Sequence, residues 1–125
     1  MTSTNSPASP LADADYSRLA HEVLAAIEAT VDHWLEDDVI DIDSQRTGGL
    51  LELSLPGANA GAGSKIIINT QPPLQELWLA ARAGGHHYRH VAGRWLDTRD
   101  GSEFFAALSQ HASAQAGQAL VFAAP

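Results

Sequence analysis

The chain has 125 residues, a length typical of one domain, and it lacks cysteine, which excludes disulfides, thiolate zinc sites, cysteine-ligated clusters and a cysteine nucleophile. Its formal net charge of −8 and pI near 4.9 argue against a nucleic-acid partner. No apolar run reaches membrane-spanning length, and the N-terminus lacks the pattern of a signal peptide, so we expect a cytoplasmic protein with no membrane contact.

A tail and a long helix are predicted before the first strand. Residues 1–12 are rich in Ser, Thr, Pro and Ala and are predicted to be a disordered tail, followed by one domain over residues 13–125. From Asp13 or Asp15 onward, apolar residues recur every three or four positions, which indicates a helix with one buried stripe. The stripe comprises Tyr16, Ala20, Val23, Leu24, Ile27, Val31 and Trp34.

The second half of this helix carries an unusual concentration of carboxylates. Ten of the fifteen acidic residues lie between Asp13 and Asp43, with Arg18 as the one base among them. The acids continue past the predicted helix end, where the helix dipole makes negative charge unfavourable. We name seven of these residues the acidic ridge: Glu28, Asp32, Glu36, Asp37, Asp38, Asp41 and Asp43.

Two interpretations of the acidic ridge are equally supported by charge alone. It is either an ordinary solvated face or a surface that binds a metal ion or a basic protein. Carboxylate oxygens favour hard cations such as Fe(II), Fe(III), Mn(II), Ca(II) or Mg(II), and the open arrangement predicts weak binding. His21 and His33 flank the ridge, and each could add one ligand.

Short alternating segments joined by turns follow the first helix. They predict strands at residues 39–43, 50–55, 65–69, 76–82, 86–91 and 94–97, with a longer flexible loop at residues 56–64. In the first strand, Ile40 and Ile42 are expected to point inward. Because short links join antiparallel neighbours, these segments predict one antiparallel sheet.

A second helix is predicted near the C-terminus. Asp100–Glu103 resembles a capping box that opens it, and Gly117 ends it. The apolar segment Leu120–Phe122 is expected to pack along the helices. The complete order predicts an α+β fold, a two-layer sandwich with two helices on one face of the sheet.

Two groups of side chains on the predicted sheet are candidates for function. Trp78 lies between Leu77 and Leu79, so inward leucines leave it on the open face. On the next strand, His86, Tyr88 and His90 share one face and His87 the other. We favour a polar strand surface there over a second metal or haem site. No nucleophile–base pair is linked by spacing, so we predict no enzyme, with ferroxidase activity as the weakest alternative.

The segment 64–85 resembles the signature of the frataxins, most closely their bacterial, CyaY-type branch. The residues that carry the likeness are Asn69, Gln71, Pro73, Gln75 and the run Trp78-Leu79-Ala80. They follow an acidic first helix and precede a Trp95-Leu-Asp strand and a closing helix, as in that family. The resemblance extends over residues 15–122 and implies the frataxin-like sandwich fold.

The resemblance also implies a function in iron–sulfur cluster assembly. Such a protein would be an iron donor or an iron-dependent regulator of the cysteine desulfurase and scaffold complex, binding Fe2+ or Fe3+ weakly at the acidic ridge. Asn69, Gln71 and Trp78 would bind the partners. The chain would be a monomer without metal, and iron could drive it into oligomers. The alternative is an acidic interaction adaptor for which metal binding is incidental.

Four residues depart from the family pattern in the ridge region. Ala29, His33, Leu35 and Val39 stand where bacterial relatives often carry acids. The acidic ridge is therefore expected to be a loose carboxylate surface rather than a chelating pocket.

Overall fold

The computed structural model describes residues 11–58 and 61–125, which contain two long helices and six strands. In chain order these are α1 (Asp13–Glu36), β1 (Asp43–Thr47), β2 (Leu50–Leu55), β3 (Ser64–Gln71), β4 (Glu76–Ala81), β5 (Gly84–Val91), β6 (Arg94–Asp97) and α2 (Phe104–Ala116). A short 3-10 turn, Pro72–Leu74, joins β3 to β4.

The six strands form one antiparallel sheet in the order β1-β2-β3-β4-β5-β6. Leu51, Ile68 and Leu79 are register partners on β2, β3 and β4, and all three are buried. Their row marks the face of the sheet that the helices cover, whereas the opposite face is open. The predicted α+β sandwich is therefore confirmed.

The core lies between this sheet face and the two helices. On α1 the buried residues are the predicted ones, except that Trp34 is only partly covered: Tyr16, Ala20, Val23, Leu24, Ile27 and Val31. The C-terminal segment packs on the helices as predicted, since Phe122 is buried and its ring centre lies 4.8 Å from that of Trp34. Burying one such large side chain contributes roughly 1.5–3 kcal/mol.

The first strand begins later than the sequence predicted. It starts at Asp43 rather than Val39, and the preceding residues are a turn and an extended connection. The reason is the end of α1, where Val39 N donates to Trp34 O at 2.8 Å and Asp38 adopts a φ of 56°. The chain needs several residues to leave this turn, and Ile42 is buried there without a strand partner.

The start of α2 also differs from the expected capping box. Glu103 is itself the N-cap, and its carboxylate accepts from Phe105 N at 2.7 Å and from Ala106 N at 3.0 Å. Asp100 instead accepts from Ser102 N at 2.9 Å in the preceding turn. The predicted helix end is confirmed, because Gly117 has a φ of 71°, which glycine adopts without strain.

Most of the predicted tail, residues 1–12, falls outside the described residues. Leu11, which the structure does describe, exchanges two hydrogen bonds with the Gln75 side chain, at 2.9 and 2.7 Å. The predicted flexible loop over residues 56–64 is described except for Asn59 and Ala60. Among all described residues, no helix is long and apolar enough to cross a membrane.

Candidate functional site

The acidic ridge follows the C-terminal half of α1 and the connection into β1. Six of its seven side chains are exposed, and only Glu28 is half-buried. On β1, Asp43 pairs with Ser54, whereas Arg46 pairs with the buried Leu51. Because register partners share a face, Asp43 points to the open face of the sheet and Arg46 to the helix side. The ridge thus runs along the edge where the two layers meet.

Glu28, the first member of the acidic ridge, is bound to an arginine. Its Oε1 lies 2.8 Å from Arg46 Nη1, and both side chains are about two-thirds or more covered. A second nitrogen of the guanidinium, Nη2, lies 2.6 Å from His21 Nδ1. His21, predicted as a flanking ligand, therefore contacts a cation rather than the open carboxylates.

The last turn of α1 contains the other predicted flanking histidine. His33 Nε2 lies 3.0 Å from Asp37 Oδ2, one helical turn further on, and both side chains are exposed. Asp37 caps the helix and Asp38 follows in a left-handed conformation. These acids stand where the helix carbonyls carry partial negative charge, so a bound cation would stabilise this end of the helix.

The ridge offers many oxygen atoms but no preformed cage. Across residues 11–58 and 61–125, no three His, Cys, Asp or Glu side chains are grouped closely enough to hold a metal ion. Exposed carboxylates on successive turns attract hard cations and leave most of their ligand positions to water. Such an arrangement does not fit a tight chelate, and weak, exchangeable binding of hard cations at the ridge stays a prediction.

The open face of the sheet carries the second predicted group of side chains. Leu77 and Leu79 are buried, and Trp78 between them is half-buried on the opposite side, as the alternation predicted. Asn69, Trp78 and His87 are register partners on β3, β4 and β5. The rings of Trp78 and His87 stack with centres 4.2 Å apart and planes inclined by 6°.

A buried carboxylate that the sequence patterns did not single out holds this arrangement. Glu76 is 4% exposed although it lies on the open face. It accepts from Trp78 Nε1 at 2.8 Å and from Arg89 Nε at 3.0 Å, with His87 Nδ1 at 3.7 Å. Its position two residues before Trp78, on the same side of the strand, was the available signal.

We name this group the open-face patch: Asn69, Gln71, Glu76, Trp78, His87 and Arg89. Gln71 joins it as the register partner of Glu76. Its backbone N–H donates to Tyr16 Oη at 3.1 Å, and that hydroxyl donates to Glu76 O at 2.7 Å. Through Tyr16, helix α1 is hydrogen-bonded to the end of β3 and the start of β4 beneath the patch.

The acidic ridge and the open-face patch are separate surfaces. The nearest strands of the two surfaces are β1, which carries Asp43, and β3, which carries Asn69 and Gln71. They lie two positions apart in the sheet, a separation of about 10 Å at the usual strand spacing. One partner large enough to span the sheet edge could contact both. Two smaller ligands could bind without competing.

The three histidines of β5 do not form one site. His87 points to the open face, whereas His86 and His90 lie on the helix side with Tyr88 between them. The predicted polar surface is wrong for this side, because Tyr88 is 1% exposed beneath α2, with its ring 5.2 Å from that of Phe104. Burial raises the pKa of Tyr88, and burial lowers the pKa of His90, whose ring centre lies 5.1 Å from that of Trp95.

Known proteins are similar to this chain in sequence and architecture. The model of the frataxin-like domain family matches residues 9–118. The iron-sulfur cluster assembly protein CyaY of Polaromonas sp. is 50% identical over 115 residues, which cover 92% of this chain and 95% of that protein. The structure of frataxin from Psychromonas ingrahamii is 34% identical and superposes with a TM-score of 0.75, covering 90% of this chain and 99% of that one.

A more distant structure shares the fold. It is trimeric frataxin from the yeast Saccharomyces cerevisiae, complexed with ferrous iron. The yeast chain is 23% identical to this one. Its TM-score is 0.59, with 82% of this chain and 83% of the yeast chain covered.

Proposed function

This chain belongs to the frataxin family, and on that basis we propose that it is an accessory protein of iron–sulfur cluster assembly. The observation that carries the proposal is its 50% identity, over 92% of the chain, with a protein that bears this function in its name. The shared fold and the placement of the two exposed polar surfaces support it. Within the assembly machinery, the chain acts as an iron donor or as an iron-dependent regulator of the desulfurase and scaffold complex.

Iron is the cargo that we assign to the acidic ridge. The proposed ligands are its seven carboxylates, with Asp32, Glu36 and Asp37–Asp43 more accessible than Glu28, which Arg46 already occupies. Support comes from their exposure, from their hard oxygen atoms and from the yeast frataxin that is complexed with ferrous. Binding of Fe2+ or Fe3+ is weak, and other hard divalent cations compete for the same oxygens.

The partners that we assign to the open-face patch are the cysteine desulfurase and the iron–sulfur scaffold protein. Trp78 is the proposed anchor, with Asn69 and Gln71 as its polar neighbours. Large aromatic side chains often dominate interface energies, and Trp78 is held in one orientation by Glu76 and His87. The proposal includes a cytoplasmic monomer without metal, and oligomers driven by iron of the kind that the trimeric yeast protein suggests.

A desulfurase assay at several iron concentrations tests this function. Sulfide release by the desulfurase–scaffold complex is measured with and without the chain. A variant with Asp32→Asn, Glu36→Gln and Asp37→Asn removes three ridge charges and leaves the open-face patch intact. We expect an effect of the wild-type chain that depends on iron and is reduced in the variant. An unchanged rate at every iron concentration would contradict the proposal.

The pair between Glu28 and Arg46 favours a second candidate function. In this pair, the ridge carboxylate of Glu28 accepts a hydrogen bond from the Arg46 guanidinium at 2.8 Å. It could accept the same kind of bond from an arginine-rich partner. In this alternative the chain is an acidic interaction adaptor, and metal binding is incidental. Amide chemical shifts during titration with Fe2+ distinguish the two functions. If the chain is only an adaptor, the amide signals of residues 28–43 should not shift at millimolar metal.

A further inference from the structure

A cavity between β5 and α2 lies away from both surfaces described above. Its volume is about 460 Å³, and its lining includes His86, Asp97, Asp100, Glu103 and His111. The local sequence pattern groups His86 only with its neighbours on β5. The fold instead brings it to His111 on α2, twenty-five positions away in the chain.

His86 is oriented by a buried carboxylate. Asp97 Oδ2 lies 3.2 Å from His86 Nδ1, and the Asp97 side chain is only 2% exposed. A carboxylate at Nδ1 favours the tautomer that carries its proton there and leaves Nε2 with a free lone pair. This carboxylate–imidazole pair is the usual support of a metal-binding histidine.

His111 is at a suitable distance to share an ion with His86. The two ring centres are 5.5 Å apart, with planes inclined by 31°. Two imidazoles bound tetrahedrally to one ion, with metal–nitrogen distances of about 2.0–2.1 Å, have centres roughly 5 Å apart. Within the described residues, no hydrogen bond engages the His111 ring.

The acids around the cavity supply charge rather than ligands. Asp97 Oδ1 accepts from Arg99 N at 2.7 Å, and both Glu103 oxygens are taken by the start of α2. Asp100 accepts from Ser102 N. Two histidine nitrogens therefore remain as metal ligands from the protein. This is consistent with the absence of any group of three such ligands among the described residues. The surrounding negative charge still favours a cation in the cavity.

We propose that this cavity binds one borderline divalent cation, such as Zn2+, through His86 and His111. Asp97 is the positioning residue for His86, and water completes the coordination. Nitrogen donors select Zn2+, Ni2+ or Cu2+ over Mg2+ and Ca2+, so the site differs in metal preference from the oxygen-only acidic ridge. It is independent of the proposed role in cluster assembly.

Titration of the full chain with Zn2+, followed by NMR of the histidine ring nitrogens, tests the proposal. We expect saturable changes at His86 and His111 with one equivalent bound, and no such changes with Mg2+. His86→Gln and His111→Gln should each weaken this binding at least tenfold. Asp97→Asn keeps an acceptor for the turn and should weaken it about 10–100-fold, with an altered His86 tautomer signal in the metal-free protein.

His33→Gln is the matched control, because it removes an exposed histidine beside Asp37 and should leave the Zn2+ affinity of the cavity unchanged. Changes confined to His33 and the ridge would overturn the proposal. So would Zn2+ binding by folded His111→Gln with wild-type affinity. If a variant fails to fold, the ring signals of the wild-type chain decide the outcome alone.

Discussion

Arg46 on β1 forms an ion pair with Glu28 on α1, with Nη1 and Oε1 2.8 Å apart. The contact joins the edge strand to the long helix at the start of the acidic ridge. It neutralises one of the seven ridge carboxylates within the chain itself. The part of the ridge that we propose for cation binding is therefore Asp32–Asp43, where six carboxylates are exposed.

Replacing Arg46 should strengthen cation binding at the ridge. Arg46→Gln removes the partner of Glu28 and adds one net negative charge at that end of the ridge. We expect tighter binding of Mn2+, measured by paramagnetic broadening of amide signals, with new broadening at Glu28. Because both side chains are mostly covered, loss of this charged hydrogen bond should lower the free energy of unfolding by about 1.5–3 kcal/mol.

Arg18→Gln is the control for this change. It makes the same change in net charge on α1, but Arg18 pairs with Asp15 and Glu22 near the start of the helix. Equal effects of the two variants on Mn2+ binding would mean that total charge, and not the Glu28 contact, governs the ridge.

Asp38 combines two unfavourable features, and its replacement should stabilise the fold. It has a φ of 56° and a negative charge just beyond the end of α1. Asp38→Asn tolerates this backbone and removes the charge, so the free energy of unfolding should rise by about 0.5–1 kcal/mol at low salt. Urea denaturation measures this value, and Mn2+ titration should show weaker cation binding by the same variant.

Asp41→Asn provides the comparison for Asp38. It removes an equal charge from the connection without a left-handed backbone. A smaller gain in stability is expected there, with a similar loss of cation binding. If neither variant gains stability, repulsion within the ridge is not a cost to the folded state.

Trp78→Ala should weaken binding to the desulfurase–scaffold complex by about 2 kcal/mol or more. The variant lacks the aromatic anchor. It also leaves the buried Glu76 carboxylate without the hydrogen bond that Trp78 Nε1 donates to it. Calorimetric titration measures the affinity. Trp78→Phe keeps the stacking on His87 and should retain most of the binding.

Val121→Ala is a control on another surface, because Val121 is 76% exposed in the C-terminal segment. It should leave affinity unchanged. Wild-type affinity in a folded Trp78→Ala variant would exclude Trp78 as an anchor.

His90 should make the fold sensitive to acid. Burial lowers the pKa of His90 in the folded chain below the ordinary value of 6.5. The imidazole therefore binds a proton more weakly in the folded chain than in the unfolded chain. This difference in proton affinity has no effect on stability above pH 6.5. It destabilises the fold progressively as the pH falls from 6.5 toward the pKa of His90 in the folded chain. His90→Gln should therefore flatten the loss of stability between about pH 7 and 5, measured by urea denaturation.

The exposed His33 provides a comparison for that experiment. His33→Gln removes an imidazole at the end of α1 that is not part of the core. If the acid sensitivity is the same in wild-type and His90→Gln proteins, His90 is not its source.

Local patterns were sufficient for most of the architecture. Apolar spacing predicted the buried side of α1, and alternation in β2 and β4 predicted which leucines face the core. The signature around Asn69 and Trp78 led to the family. The errors occurred where tertiary context overrides local pattern: Val39–Asp43 alternates like a strand but follows a left-handed turn, and Tyr88 lies under α2 rather than on a polar surface.

The sequence by itself determined element types, buried sides and family membership, because these depend on periodicity and on residues close together in the chain. Only the tertiary structure decided which charged and aromatic groups meet. Arg46 pairs with Glu28, Arg89 with Glu76, and His86 with both Asp97 and His111. Each contact joins residues brought together by strand register or by packing of a helix on the sheet, and short-range patterns do not encode that geometry.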